Sequence, residues 1–325
     1  MIMIDQYGRM IDYMRISITD RCNLRCRYCM PEDIWHAGHQ DILRYEEMLC
    51  ICQAAVSLGI TKFKVTGGEP LVRKGCTDFI ASLKSQPGVE QVTITTNGLL
   101  LSGSLDALCT AGIDGINISL DTLRAEEYCE LTGFDGKPVE TIRQALRECV
   151  NRGVRVKVNA LLLAQTFGGI GEVAMLAHEL PVDVRFIELM PIGQGMAMVG
   201  VPVDDAFRLL KKLWPNIYPT NEKRGNGPAQ YFAARGLQGR IGLIGAVSNR
   251  FCSNCNRVRL TATGILKPCL CYEAGIDLKA ILRDNYGDFA LRDAMRSCIT
   301  QKPFSHCFSE CKDITEHRAM NQIGG

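Results

Sequence analysis

Cys22, Cys26 and Cys29 form C-x3-C-x2-C near the start of the chain, and Cys252, Cys255 and Cys269 form C-x2-C-x13-C near its end, with Cys271 two residues on. The opening MIMIDQYGRM lacks the basic start and long apolar stretch of a secretory signal. A cytoplasmic, reducing location is therefore expected, where clustered thiols bind metal more often than one another. A 4Fe-4S cluster normally takes four cysteines. A loop that offers three leaves one iron open to a ligand, and an open iron can do chemistry. A zinc knuckle is the other reading of the first group, with His36 or His39 as its fourth ligand. For the second group, the alternative is a four-thiolate zinc site that includes Cys271. Arg257 and Arg259 favour the open iron there, because they alternate just after Cys255 and project from one face of a strand. Two guanidiniums beside a metal centre suit a ligand that carries phosphate. The cysteines without such spacing (Cys50, Cys52, Cys76, Cys109, Cys129, Cys149, Cys298, Cys307 and Cys311) read as small core residues.

These loops need a scaffold, and the first two thirds of the chain supply its rhythm. Short β-branched runs at 14–18, 62–66, 91–95, 115–120, 154–162 and 184–190 alternate with amphipathic stretches, several ending in glycine. Six βα units are too few for a closed eight-stranded barrel, so the expected fold class is α/β, a curved, incomplete (βα)6 barrel. Its loops at the carboxyl ends of the strands collect the ligands. Past Pro215 the rhythm gives way to turn signals, short strands at 230–234, 240–244 and 257–261, and helices at 277–283 and 288–300. The expected division is a core of 1–214 and a smaller α+β segment of 215–325 around the second cysteine group.

Composition narrows the function classes. Hydrophobic residues are 46% and charged ones 22% of the 325, which excludes a disordered chain, and no apolar run reaches the length of a spanning helix. Lys and Arg number 37 against 35 acidic residues, which argues against nucleic acid as a partner. An anionic partner must be small and held locally.

The first loop, with Tyr28 before its last cysteine, and Gly67-Gly68-Glu69-Pro70 after the second strand resemble the signatures of radical S-adenosylmethionine (SAM) enzymes. With Cys255-Asn256-Arg257-Val258-Arg259, the spacing to Cys269, RFIELMPIGQG, GPAQYF and the terminal Gly324-Gly325, the chain from about residue 5 onward resembles the GTP-cyclising radical SAM enzymes of molybdenum cofactor biosynthesis.

The resemblance implies two 4Fe-4S clusters, one on Cys22, Cys26 and Cys29 that cleaves SAM, and one on Cys252, Cys255 and Cys269 that binds guanine. A 5'-deoxyadenosyl radical would take the C3' hydrogen of GTP, and C3' would join C8 to give a 3',8-cyclo-7,8-dihydro nucleotide. It places Tyr28, Gly68, Ser119 and Met190 around SAM. Around GTP it places Arg15, Lys64, Thr95, Lys157, Arg257, Val258 and Arg259, with Lys62 as a further candidate, and it gives catalytic roles to Arg185, Gly324 and Gly325. It also implies an external electron donor and a downstream cyclic pyranopterin monophosphate synthase, leaves a homodimer open, and involves no nucleic acid or membrane. Lys64 departs from the Arg common in the family, keeping the charge and losing the bidentate fork. Cys271 is a second departure. A radical SAM enzyme acting on a peptide would leave Arg257 and Arg259 without a task, and a double-cluster electron carrier would not need so large a βα scaffold.

Overall fold

The computed structural model describes residues 2–31, 33, 36–284 and 286–324. The repeating units run β1 (Tyr13–Ser17), α1 (Tyr45–Ser57), β2 (Lys62–Thr66), α2 (Cys76–Lys84), β3 (Gln91–Thr96), α3 (Leu101–Thr110), β4 (Gly115–Ser119), α4 (Ala125–Thr132), α5 (Pro138–Asn151), β5 (Val156–Leu162), α6 (Ile170–Glu179) and β6 (Asp183–Glu188). Then follow α7 (Val203–Leu213), β7 (Tyr218–Thr220), β8 (Gln230–Ala233), β9 (Ile241–Ile244), β10 (Arg257–Leu260), β11 (Ile265–Lys267), β12 (Ile276–Asp277), α8 (Leu278–Arg283), α9 (Gly287–Thr300) and α10 (Met320–Ile323). Among the described residues no helix is long and apolar enough to cross a membrane.

Strands β1 to β6 lie side by side in chain order and all parallel, as an incomplete (βα)6 barrel. The segment after α7 does not build a sheet of its own. Strand β10 pairs parallel to β1 at one edge and β9 pairs parallel to β6 at the other, so the central parallel run is eight strands wide and still open. Antiparallel β11 and β12 cover the first edge, and β8 and β7 cover the second.

Two-residue alternation sorts the side chains. Met14, Ile16, Phe63, Val65, Val92, Ile94, Val158, Val184 and Phe186 point to the helix layer and are buried in one continuous core. Their polar neighbours, Arg15, Lys64, Thr93, Lys157 and Arg185, face the concave side. Gly242, the register partner of Arg185, is glycine for a steric reason. A Cβ there would stand 2.9 Å from the Arg185 Cγ and 3.0 Å from the Tyr231 ring.

The six core strands and the strands at 230–234, 240–244 and 257–261 form within two residues of their expected limits, the largest differences being at the start of β5 and the end of β6. The three strands that sequence patterning did not anticipate, β7, β11 and β12, have two or three residues, too few for a period-two signal. Helices α4 and α7 are also additions. The second buries only Val203, Ala206 and Leu210 along an otherwise charged face.

Candidate active site

The first cysteine loop follows β1 and is held by the GGEP turn after β2. Gly68 N–H donates to Thr19 O at 2.7 Å and Glu69 N–H to Arg21 O at 2.8 Å. The backbones approach so closely that a Cβ on Gly67 would stand 2.6 Å from Thr19 O, and one on Gly68 2.3 Å from Arg21 O. The turn therefore positions the strand-to-loop junction from which Cys22 departs. Buried Glu69 accepts from the N–H groups of Leu71 (3.0 Å) and Asn97 (2.7 Å) and from the Thr96 hydroxyl (2.8 Å). Burial nevertheless pushes its carboxyl up to about 7. Tyr28 donates its hydroxyl to Asp121 at 2.8 Å, and the other Asp121 oxygen takes Leu161 N–H at 2.7 Å. Burial raises all three thiols, Cys29 to about 12; Cys29 and Cys22 add to the rise at Cys26, and Cys22 to that at Cys29. Asp121 adds its negative charge at Cys26 and Cys29, and Glu69 adds its own at Cys22.

A cavity of about 410 Å3 runs through the concave side of the sheet. Ten lysines and arginines line it against two aspartates, in a chain whose whole formal charge is only +2. Strand register explains the concentration. Arg259, Arg15, Lys64 and Thr93 are successive partners across β10, β1, β2 and β3, and Asn117, Lys157 and Asp183 across β4, β5 and β6. Both acids are already engaged, Asp114 by Lys84 at 2.6 Å and Asp183 by Arg224 at 2.9 Å and by Lys157 at 3.9 Å. Burial lowers Lys64 and Arg259 well below their usual values and lowers Arg15 too, and the neighbouring cations add to it. Burial, then Arg185, brings Lys157 down to about 8. Arg185 is aimed by neutral partners, donating to Asn159 Oδ1 at 2.9 Å and Asn117 Oδ1 at 2.6 Å. Crowded, desolvated cations of this kind favour a multiply charged anion.

Cys252, Cys255 and Cys269 line the same cavity. Their surroundings are basic: burial raises the Cys255 thiol, but Lys302 and Arg257 outweigh it and leave the thiol below its usual value. Lys302, itself buried, is fixed by Arg257 O at 2.9 Å and by Pro268 O. His306 N–H donates to Cys252 Sγ at 3.4 Å, and its Nδ1 accepts from Phe308 N–H at 3.4 Å, which leaves the proton on Nε2. That buried Nε2 has no hydrogen-bond partner among the described residues. A buried donor beside a thiol triad fits the acceptor sulfurs of an iron–sulfur centre. Among the described residues no three His, Cys, Asp or Glu side chains converge on a single-ion site.

The carboxyl-terminal tail joins the two groups. Asn321, fully buried, brings its backbone N–H near enough to the Cys29 thiol to lower it somewhat against burial, and donates its side-chain amide to Asp20 O at 2.8 Å. Three residues on, Gly324 O accepts from Arg259 at 2.6 Å. A Cβ on Gly324, whose φ is +81°, would stand 2.9 Å from Ser17 Cβ. Gly325 lies outside the described residues.

Of the expected residues, Arg15, Lys64, Thr95, Lys157, Arg185, Met190, Arg257, Arg259 and the second triad share the cavity wall. Tyr28, Gly68 and Ser119 sit outside that wall: Tyr28 within the first cysteine loop, Gly68 against Arg21 beside that loop, and Ser119 at the carboxyl end of β4. Val258 points the other way, into the hydrophobic core, so no side-chain contact to a cavity ligand is open to it. Lys62 turns to Asp12 at 2.5 Å. His36, weighed above as a zinc ligand, has its Nδ1 3.6 Å from Asp20 Oδ2. Cys271 contacts Cys307, 3.2 Å between sulfurs, instead of lining the cavity, and Cys50 is exposed rather than in the core. Sequence reasoning missed Lys302 and His306. Both lie, with the cavity-lining Phe308, in the KPFSHCF stretch after α9, more than thirty residues beyond Cys269, and carry no spacing signal of their own.

The Radical SAM superfamily profile matches residues 16–177, and the Molybdenum Cofactor Synthesis C profile matches 182–308. A Clostridium perfringens (strain SM101) protein named GTP 3',8-cyclase is 39% identical over 325 residues, covering 99% of this chain and 100% of that protein. A Moorella thermoacetica protein of the same name is 40% identical over 329 residues, with the same coverage. Among solved structures, Streptococcus suis SuiB bound to S-adenosylmethionine matches with a TM-score of 0.67 over 98% of this chain and 79% of that one, at 15% identity, which speaks to the fold alone. A thiol loop locked to a GGEP turn, a cationic cavity ending on a second thiol triad, and full-length identity to these relatives together mean that the chain belongs to the GTP 3',8-cyclase family, radical SAM enzymes that use S-adenosylmethionine and an iron–sulfur cluster.

Proposed function

We propose that this chain converts GTP to 3',8-cyclo-7,8-dihydro-GTP by removing the ribose C3' hydrogen and joining C3' to C8, the first step of molybdenum cofactor biosynthesis. The observation that carries this reading is the cavity with ten basic side chains against two acidic ones, ending on Cys252, Cys255 and Cys269. Cys22, Cys26 and Cys29 would hold one 4Fe-4S cluster and the second triad another. When bound, the first cluster and SAM supply an electron and the carbon-centred hydrogen acceptor. Arg15, Lys64, Lys157 and Arg259 take the triphosphate by charge-assisted hydrogen bonds. Thr95 adds a neutral contact on the same wall, and Arg257, beside Cys255, holds the nucleotide against the second triad. Arg185, braced by Asn117 and Asn159, keeps its guanidinium in one direction as charge moves on the substrate.

Tyr28, Gly68, Ser119 and Met190 surround SAM, whose sulfonium and ammonium suit the acidic side near Asp121. Gly324 and Gly325 would help organise GTP and SAM for productive radical transfer rather than hold the fold, a reading supported by the contact of Gly324 O with Arg259. The enzyme would draw its electron from an external donor in a reducing cytoplasm and pass its product to a cyclic pyranopterin monophosphate synthase, and a homodimer is the assembly to look for. The test is anaerobic incubation of iron-loaded protein with SAM, GTP and a reductant. 5'-Deoxyadenosine and a cyclised nucleotide should appear together, and 5'-deoxyadenosine without any GTP-derived product would defeat the reading.

A further inference from the structure

Two cysteines that the metal sites do not use meet beside the second triad. Cys271 is fully buried and Cys307 partly accessible, and their sulfurs are 3.2 Å apart. Cys307 N–H also donates to Cys271 Sγ at 3.4 Å, so the pair is aligned by backbone as well as by packing. A disulfide bond is ~2.05 Å long, which leaves roughly an ångström of approach between contact and covalency. The neighbours are the reason the pair matters. Cys271 is two residues from Cys269, and His306, next to Cys307, donates its N–H to Cys252 Sγ. The two cysteines also pack with Ile192, Phe308, Met320 and Ile323, the last two in the turn that carries Asn321 to Cys29.

We propose that Cys271 and Cys307 are a dithiol modification site that intercepts peroxide beside the second triad and closes reversibly to a disulfide. The more accessible Cys307 sulfur attacks a peroxide oxygen. An S–O bond forms, the O–O bond breaks and one water leaves. The Cys271 sulfur then displaces the oxygen from Cys307 as a second water, which carries away the Cys271 proton. In sum the two thiols lose two electrons and two protons, and the peroxide is reduced to two waters. Two molecules of a small thiol restore the pair: the first attacks Cys307, frees Cys271 as a thiol and leaves a mixed disulfide on Cys307, and the second releases Cys307 as a thiol with the small-molecule disulfide as product. Because the sulfurs already touch, closure leaves the cavity wall in place, and the oxidising equivalents are spent before they reach Cys269 or Cys252. This inference does not depend on which nucleotide the cavity binds.

The test is graded hydrogen peroxide on the anaerobically prepared, iron-loaded enzyme, followed by alkylation, peptide mapping and iron determination. A Cys271–Cys307 link should appear before any iron is released and should vanish on adding a monothiol. The C307S and C307A variants should start with the same iron content and circular dichroism as the unaltered enzyme, yet lose half of the second cluster's iron at roughly threefold less peroxide. The proposal falls if both cysteines are still alkylated once iron is leaving, or if Cys307 links to Cys311 or Cys252 instead. It falls too if both Cys307 variants lack iron from the start, since Cys307 would then be a ligand.

Discussion

The two cysteine triads use the same donor atoms in opposite electrical surroundings. Cys22, Cys26 and Cys29 lie near Asp121 and Glu69, and these charges add to burial in raising the thiols. Cys252, Cys255 and Cys269 lie near Lys302 and Arg257, which outweigh burial at Cys255. A site whose fixed charges are negative favours a cationic ligand such as a sulfonium or an ammonium group, and one whose fixed charges are positive favours a polyphosphate. Ligand choice at each end is therefore set less by the thiols than by what surrounds them. The tail spans the difference, with Asn321 on Cys29 and Gly324 on Arg259.

The sharpest way to break this comparison is to remove one triad at a time. Replacing Cys22, Cys26 or Cys29 by Ala should abolish SAM cleavage, whereas replacing Cys252 or Cys255 should leave some cleavage uncoupled from GTP. If 5'-deoxyadenosine formation vanished in the second set while the first cluster's iron stayed in place, the division between the triads would be wrong. A smaller effect is expected from the charges alone. Arg257→Ala or Arg259→Ala should lower kcat/KM for GTP roughly 10- to 100-fold, from a charge-assisted bond of ~1.5 to 3 kcal/mol at about 1.36 kcal/mol per decade. KM for SAM should stay near its original value, and equal loss with guanosine and with GTP would count against a phosphate contact.

Next in size is the link between the regions. A few residues appended after Gly325 should leave iron content and fold unchanged while cyclisation falls on the order of tenfold, because added side chains would crowd a tail that packs closely enough at Gly324 for a Cβ there to stand 2.9 Å from Ser17 Cβ. Undiminished cyclisation would return the tail to a simple chain end. The smallest effect sharpens the comparison through pH. Lys157 is held near about 8 by burial and by Arg185, and a lysine loses its charge above its pKa. kcat/KM for GTP should therefore fall as pH rises past that value, and Lys157→Arg should extend the plateau to higher pH. The same pH profile in both would remove Lys157 from phosphate binding.

Much of the molecule is legible without coordinates because it depends on local patterns. Alternation in KFKVT tells which side of β2 meets helices, and the C-x3-C-x2-C loop and GGEP turn announce themselves by spacing. Composition could not reveal where the charge collects. A net of +2 over 325 residues is what sequence alone reads, and parallel register then stacks Arg259, Arg15 and Lys64 into one row of the wall, while only two of the described acids, Asp114 and Asp183, line it. Nor could local patterns show that β9 and β10 would cap opposite edges of the same sheet, since edge pairing is decided by which unpaired strand is left exposed. Lys302, His306 and the Cys271–Cys307 contact come from the same source. Each depends on residues 36 to 54 positions apart meeting through the fold, and sequence determines such meetings only by way of that fold.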